Sequence, residues 1–184
     1  MRTLMGVISL VAVILGLLAL VASAQDKHIE SLAPYYATPE LVVDRMLKLA
    51  DLKPGERMFD LGSGDGRIVI MAARKYRADA TGVEFDDSLF KQSMQRIKRL
   101  GLSSTARIVH GDLLAQDYSS ADVLTIYLLP VANAKLMPIL EKQLKKGARV
   151  VSHNSEFSDW SPVKVDDIAS DGEGHSHRLY LYVR

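Results

Sequence analysis

The chain has 184 residues, with 23 lysines and arginines against 22 aspartates and glutamates, and it has no cysteine. Its length suits one domain with a sizeable core. The near balance of charge argues against nucleic acid as a partner, because duplex affinity depends on clustered positive charge. The lack of cysteine excludes disulfide scaffolds and thiolate metal sites, and we predict no metal site.

The first 24 residues carry a single charge, Arg2. Residues 3–24 are long enough to cross a bilayer as one helix, which takes roughly 20 apolar residues. The same stretch also fits a cleaved signal peptide, with Ala22-Ser23-Ala24 as its small-residue cleavage site. We therefore predict membrane association through residues 3–24, with export after cleavage following Ala24 as the alternative. The predicted organisation is a hydrophobic segment at 1–24, a linker at 25–37 and a folded domain at 38–184.

Beyond the linker, short apolar strands alternate with amphipathic helices. The first helix is predicted to begin at Thr38, which would cap it, with Pro39 in the first helical position. Further helices are predicted at 66–76, 86–101 and 131–147. Strands are predicted at 57–61, 79–85, 106–112, 121–129, 148–153, 161–170 and 177–184.

This alternation indicates a parallel sheet with helices on both faces. A continuous apolar run such as "VLTIYLL" is typical of a strand buried on both sides. The last two strands flank the turn "DGEG" and should pair antiparallel. The predicted fold class is α/β: a Rossmann-like, doubly wound, mostly parallel seven-stranded sheet with an antiparallel final strand, preceded by one N-terminal hydrophobic helix.

A glycine-rich turn, "GSGDG", follows the first strand. Ligands of such sheets bind beyond the carboxyl ends of the strands, which is where this turn lies. Gly62, Gly64 and Gly66 allow the backbone to approach a ligand closely, and the helix N-terminus that follows favours a negative group. The spacing is G-x-G-x-G, which differs from the dinucleotide fingerprint, and no G-K-[ST] is present to make a P-loop.

Carboxylates around the turn narrow the choice of ligand. Asp60 and Asp65 would repel a pyrophosphate but suit a ligand with an ammonium and a sulfonium group, and S-adenosylmethionine carries both. Glu84 ends the second strand, where an acidic residue can accept hydrogen bonds from ribose hydroxyls. Asp112 follows the third strand and could accept from an adenine amino group, with Leu113 against the ring. Each carboxylate alone could be a solvated loop residue, but three at consecutive strand ends point to a cofactor site.

The stretches "FDLGSGDGRIVI", "GVEFD" and "GDLL" resemble the motifs of class I S-adenosylmethionine-dependent methyltransferases. More narrowly, "PYYATPELVVDRML", "DVLTIYLLP", "LKKGARVVSH" and "DW" resemble the family that includes the ATP synthase c-subunit lysine methyltransferase and its bacterial relatives. The resemblance implies a monomeric enzyme that methylates lysines of a membrane-embedded protein, with no nucleic acid partner. A small-molecule methyltransferase and a non-catalytic protein that binds S-adenosylmethionine are the alternatives.

The resemblance also implies roles for particular residues. Tyr36 and Thr38 would cover the cofactor, although Tyr36 could merely pack and Thr38 merely cap. The fourth strand ends in "YLLP" instead of the Asn-Pro-Pro-Tyr signature of enzymes that methylate nucleic acid bases or glutamine. Tyr127 is then the side chain nearest methyl transfer, unless it is a core tyrosine. The predicted cofactor-binding residues are Asp60, Gly62, Ser63, Gly64, Gly66, Glu84, Asp112, Leu113, Tyr36 and Thr38.

Two further features have competing interpretations. Trp160 could line the substrate mouth or cover the edge of the sheet. His175 and His177 could bind a metal from one face of a strand, but without a third ligand nearby we favour an ordinary pair at a hairpin tip.

Overall fold

The computed structural model describes residues 35–184. The hydrophobic segment at 1–24 and most of the linker lie outside this range. Within it, no helix is both long and apolar enough to span a bilayer.

A seven-stranded sheet forms the centre of the described region. Its strands are β1 (Arg57–Leu61), β2 (Asp79–Glu84), β3 (Ala106–His110), β4 (Val123–Ile126), β5 (Arg149–His153), β6 (Lys164–Ile168) and β7 (His177–Val183). The helices are α1 (Glu40–Leu49), α2 (Arg67–Tyr76), α3 (Asp87–Arg99) and α4 (Pro130–Gln143), with a short 3-10 turn at Leu113–Ala115.

The strand order is β3-β2-β1-β4-β5-β7-β6. Strands β1 to β5 run parallel, and β7 is antiparallel to both β5 and β6. The predicted α/β class, the seven strands and the antiparallel final strand are therefore confirmed. The reversal at β7 matters for the site, because it brings the first residue of β7 to the same edge as the last residues of the parallel strands. We call this edge the carboxyl edge.

The sheet is covered on both faces, as the continuous apolar strands require. All four residues of β4 are buried. One core cluster contains Val42, Val43, Met46 and Leu47 of α1 together with the apolar side of α2. The second cluster joins α4 to the aromatic side chains Tyr118, Phe157, Trp160 and Tyr182.

The start of the first helix differs from its prediction. The structure places Pro39 at the N-cap and Glu40 at the first helical position, and no side chain caps this helix. The carbonyl of Pro39 accepts the first helical hydrogen bond, from the Val43 N–H at 3.0 Å. Thr38 is instead buried, in a short stretch without regular secondary structure at residues 35–39 that we call the lead-in segment.

Candidate cofactor and acceptor site

The glycine turn adopts a backbone that other residues rarely take. Gly62, Gly64 and Gly66 have φ angles of 79°, 52° and 75°. A Cβ added to Gly64 would lie 2.5 Å from Cε2 of Tyr35, so the ring of Tyr35 rests directly on this glycine. The turn therefore needs glycine both for its conformation and for the close approach of another group.

Most N–H groups of the turn have acceptors within the protein. Those of Gly62 and Ser63 donate to the Val83 carbonyl at 3.0 and 2.9 Å, and that of Gly66 donates to the Ser63 carbonyl at 2.9 Å. The Gly64 N–H donates to Oε2 of Glu84 at 2.6 Å. A negatively charged ligand group that bound these amides would have to compete with those bonds.

Glu84 joins the glycine turn to the next strand end. It is 8% exposed, and its Oε1 accepts the Asp86 N–H at 2.8 Å while Oε2 accepts from Gly64. A carboxylate oxygen has two lone pairs. Each oxygen of Glu84 therefore keeps acceptor capacity for a hydroxyl group, as the predicted ribose role requires.

Ser63 belongs to the turn, and its side chain lies against β2. Its Oγ is buried and has no hydrogen-bond partner among the described residues. A Cβ added to Gly82 of β2 would lie 2.5 Å from this oxygen. The side chain of Ser63 thus packs against the backbone of β2, which only a glycine at position 82 permits.

Asp60 is a buried carboxyl group between β1 and β4. It is 3% exposed and accepts a hydrogen bond from Oγ1 of Thr125 at 2.7 Å. Burial raises the pKa of Asp60 to about 7, and the charges of Glu84 and Asp65 act in the same direction against the bond from Thr125. The charge of this group can therefore change near neutral pH.

Asp65 is not a free carboxylate. Its Oδ1 accepts from Nε of Arg67 at 2.9 Å, and its Oδ2 accepts from Nη1 of Arg96 at 3.0 Å. Burial opposes ionisation, but the arginines prevail and hold the pKa of Asp65 below its ordinary value. The two guanidinium groups neutralise this side chain, so Asp60 and Glu84 are the carboxylates left to attract a cationic ligand.

The lead-in segment is fastened to the turn. Nη1 of Arg67 donates to the Thr38 carbonyl at 2.9 Å. Tyr35 lies on Gly64, while the ring of Tyr36 meets that of Tyr127 edge-on, with centroids 6.5 Å apart. The structure thus puts Tyr35 on the glycine turn. This residue was not predicted as part of the site, although it is the first of the tyrosine pair.

Asp112 and Leu113 begin the 3-10 turn after β3. Oδ1 of Asp112 accepts the Leu114 N–H at 2.8 Å and so caps this turn. Leu113 is 8% exposed and belongs to the core cluster around α4. Asp112 lies at the third consecutive strand end, as predicted, and its second oxygen is the one available to a ligand.

A row of aromatic and acidic side chains continues along the carboxyl edge from Tyr127. Tyr127 follows β4, and its ring centroid is 3.9 Å from that of His153, the last residue of β5. Nε2 of His153 lies 2.9 Å from Nδ1 of His177, the first residue of β7. Nε2 of His177 lies 3.2 Å from Oδ2 of Asp171. His153 was not predicted as a site residue, although its position at the end of a buried parallel strand was a usable signal.

Trp160 lies away from this row. It is buried, stacks on Phe157 and donates from Nε1 to Oε1 of Glu141 at 3.0 Å. Trp160 therefore covers the sheet and does not line a substrate mouth.

His175 also lies outside the row, exposed at the hairpin tip. Ligand atoms of Asp171, Glu173 and His175 lie within 4.8 Å of one another. That proximity does not assign a metal, because Asp171 is already bound by the N–H groups of Glu173 and His175 and by the ring of His177.

The carboxyl edge thus has two parts. Over β1, β2 and β3 lie the glycine turn, two carboxylates able to attract a cation, and a capping aspartate; this donor set fits a cationic nucleoside. Over β4 and β5 lie Tyr127 and His153. A group held between the two parts would sit above β4.

Comparison with known proteins finds relatives that match most of the described chain. Residues 60–164 match the family described as the ANTKMT methyltransferase domain. A protein-lysine N-methyltransferase from Saccharolobus islandicus (strain REY15A) is 43% identical over 151 residues, which make up 82% of this chain and 92% of that protein. The ATP synthase c-subunit lysine N-methyltransferase of Homo sapiens is 30% identical over 76% of this chain, and the match spans 58% of that longer protein.

A solved structure agrees with these sequence relatives. The RNA methyltransferase from Salinibacter ruber in complex with S-adenosyl-L-homocysteine has a TM-score of 0.75 and 43% sequence identity. The alignment covers 80% of this chain and 93% of that one. S-adenosyl-L-homocysteine is what remains of S-adenosylmethionine after its methyl group has been transferred.

Proposed function

The chain belongs to the family defined by the ANTKMT methyltransferase domain, and from that membership we propose that it methylates lysine side chains of proteins. It is an S-adenosylmethionine-dependent methyltransferase. The observation that carries the choice of lysine is the 43% identity to a protein-lysine N-methyltransferase over 92% of that protein's length.

The site can perform this reaction without an elaborate set of catalytic groups. The bound cofactor supplies a methyl group already activated by its sulfonium, so the protein has chiefly to align the acceptor with it. A lysine amine must be neutral to react, and its ordinary pKa is about 10.4. Desolvation lowers the pKa of an amine. The half-buried ring of Tyr127, with Tyr36 against its edge, offers apolar surface for the methylene chain of a lysine.

A membrane-embedded protein is the acceptor that we favour. The apolar residues 3–24 would hold the enzyme at a bilayer and raise its local concentration there. Near Tyr127, the start of α4 adds exposed apolar surface: Leu129 is 47% exposed and Val131 is 59% exposed. Such side chains suit contact with an apolar substrate surface.

RNA is the second candidate acceptor, because the Salinibacter ruber relative is named an RNA methyltransferase. The near-neutral charge of this chain and the ending "YLLP" after β4 favour protein over RNA. A small-molecule acceptor and a protein that binds the cofactor without turnover are further outcomes for the test.

The experiment uses membranes and soluble extract from a strain that lacks the gene. Each fraction is incubated with the full-length enzyme and S-adenosylmethionine labelled in its methyl group, then treated with protease or ribonuclease. We expect protease-sensitive label in the membrane fraction, on lysines located by mass spectrometry, and none with Glu84→Ala enzyme. Label lost on ribonuclease treatment, or found in small molecules alone, would refute the lysine proposal.

A further inference from the structure

We propose that His153 accepts a hydrogen bond from the methyl-accepting amine, and that His177 and Asp171 hold it in the tautomer able to do so. The inference rests on the proposed lysine acceptor. It assigns to the site a substrate contact on β5, on the opposite side of β4 from the cofactor turn.

The row runs from Asp171 through His177 to His153, and the donors and acceptors along it can be assigned by starting at Asp171. Oδ1 of Asp171 accepts from the N–H groups of Glu173 and His175 at 2.8 and 3.1 Å. Although burial opposes ionisation, these bonds and the one from His177 keep the pKa of Asp171 well below its ordinary value. An ionised carboxylate can only accept hydrogen bonds. Nε2 of His177 is therefore the donor in its 3.2 Å contact with Asp171.

The tautomer of His153 follows from that of His177. A neutral imidazole that donates from Nε2 has an acceptor at Nδ1. In a neutral His177, Nδ1 therefore accepts from Nε2 of His153 across 2.9 Å. His153 itself stays neutral, since burial above all lowers its pKa to about 3. Its Nδ1 is left as an unprotonated acceptor.

This acceptor has no partner among the described residues, and it is buried. His153 as a whole is 0% exposed. Leaving a buried acceptor unsatisfied is destabilising, so such a group in a native structure calls for an explanation. The ring packs against Tyr127, whose side chain is only half-buried, and an amine that reaches Nδ1 would require Tyr127 to turn aside. A donor that arrives with the substrate would satisfy Nδ1.

The position of His153 suits an amine above β4. The cofactor turn follows β1 on one side of β4, and His153 ends β5 on the other. If one N–H of a neutral amine points to Nδ1 of His153, the lone pair of the tetrahedral nitrogen points away from the imidazole and can face the cofactor side. Holding the lone pair in line with the methyl group is the alignment on which the rate depends.

The number of N–H groups on the accepting amine determines which of the three methyl transfers His153 can assist. A neutral lysine amine has two N–H groups, a monomethyl amine has one, and a dimethyl amine has none. His153 can therefore assist the first and second transfers but not the third. A purely structural role for His153 would affect all three transfers alike.

The activity test compares the wild-type chain with His153→Phe, which keeps an aromatic ring against Tyr127 but has no acceptor. The probes are synthetic peptides around one lysine found in the mapping experiment, made with the unmodified, monomethyl and dimethyl side chain. We expect kcat to fall about tenfold or more for the first two peptides, the equivalent of one hydrogen bond. For the dimethyl peptide, kcat should stay within about twofold, and the cofactor dissociation constant should not change. Equal losses on all three peptides, or no loss, would overturn the inference.

Two variants complete the set. Glu173→Gln, at the exposed tip of the same hairpin, is the control and should behave as wild type. His153→Leu, which fills the space without any acceptor, replaces His153→Phe if the latter does not bind cofactor.

A second readout does not depend on turnover. Ring-nitrogen NMR of the 15N-labelled full-length chain reports which nitrogen of each histidine carries hydrogen, and the signal that His153→Phe removes identifies His153. We expect Nδ1 of His153 unprotonated and Nε2 protonated at neutral pH, and Asp171→Ala should lose this preference. A protonated Nδ1 in the wild type would overturn the inference. If the wild type methylated none of the peptides, the lysine proposal would fall, and the inference with it, while the NMR result would still report the tautomer.

Discussion

Cofactor affinity should depend on pH through Asp60. The pKa of this carboxyl is raised to about 7 because it is buried, with Glu84 and Asp65 nearby. S-adenosylmethionine brings positive charge to the edge of the sheet where β1 ends, and a nearby cation favours the ionised carboxylate. Binding should therefore release a proton from Asp60. The affinity then follows the ionised fraction of the free enzyme, so the dissociation constant should fall about tenfold between pH 6 and pH 8.

Titration calorimetry of the full-length chain with S-adenosylmethionine measures this effect. Repeating it at pH 7 in two buffers of different ionisation enthalpy gives the number of protons released, which should be about one half. Asp60→Asn is the matched control, since it keeps the shape and a partner for Thr125 but cannot ionise. Any pH dependence that comes from titration of the ligand itself appears equally in Asp60→Asn. If the wild type and Asp60→Asn had the same pH dependence, the reasoning about Asp60 would be wrong.

Three further predictions concern stability without cofactor. Because the pKa of Asp60 is raised, its contribution to the free energy of unfolding is complete below about pH 4 and is lost as pH rises through about 7. Asp60→Asn should therefore be more stable than wild type at pH 8, by up to a few kcal/mol in chemical denaturation. The pKa of His153 is lowered to about 3, so its contribution to stability is present above about pH 6.5 and is lost as pH falls. In the same assay, His153→Phe should lose less stability than wild type as pH falls below about 6.5. An unchanged dependence of stability on pH would contradict this prediction. Gly82→Ala would place a Cβ 2.5 Å from Oγ of Ser63 and should lower the free energy of unfolding by about 1–3 kcal/mol, whereas Gly111→Ala, whose new Cβ would meet only the flexible end of a glutamine at 3.4 Å, should change it little.

Strand positions could be predicted from the sequence because turn residues directly before and after a strand mark its ends. β1 was predicted at residues 57–61 and lies there, since a glycine-containing turn precedes it and the glycine turn follows it. The antiparallel pairing of β6 and β7 could be predicted for a similar reason, and it is confirmed. The turn "DGEG" between them is too short for anything but a hairpin. Local patterns of this kind were enough for the fold class.

Side-chain pairing was harder to predict, because the partners are distant in the sequence. Asp65 has the same appearance in a sequence whether it faces a ligand or is neutralised by Arg96, which lies 31 positions away. His153 acquires its interest only from His177, 24 positions later on an antiparallel strand. Thr38 looked like a helix cap, yet its carbonyl is bound by Arg67 from beyond the glycine turn. In each case the deciding contact depends on the sheet order, which no local motif contains.

The fastening of the lead-in segment has a practical consequence for attaching anything to this protein. With Tyr35 on Gly64 and Thr38 bound by Arg67, the described chain begins directly beside the cofactor turn. Arg184 lies at the opposite edge, where its N–H donates to the carbonyl of Ala148, the residue before β5. An affinity handle, a fluorophore or a surface linker on Arg184 therefore stands a whole strand length away from both substrates. The same group attached to Tyr35 would lie beside the glycine turn, where we expect the cofactor to bind.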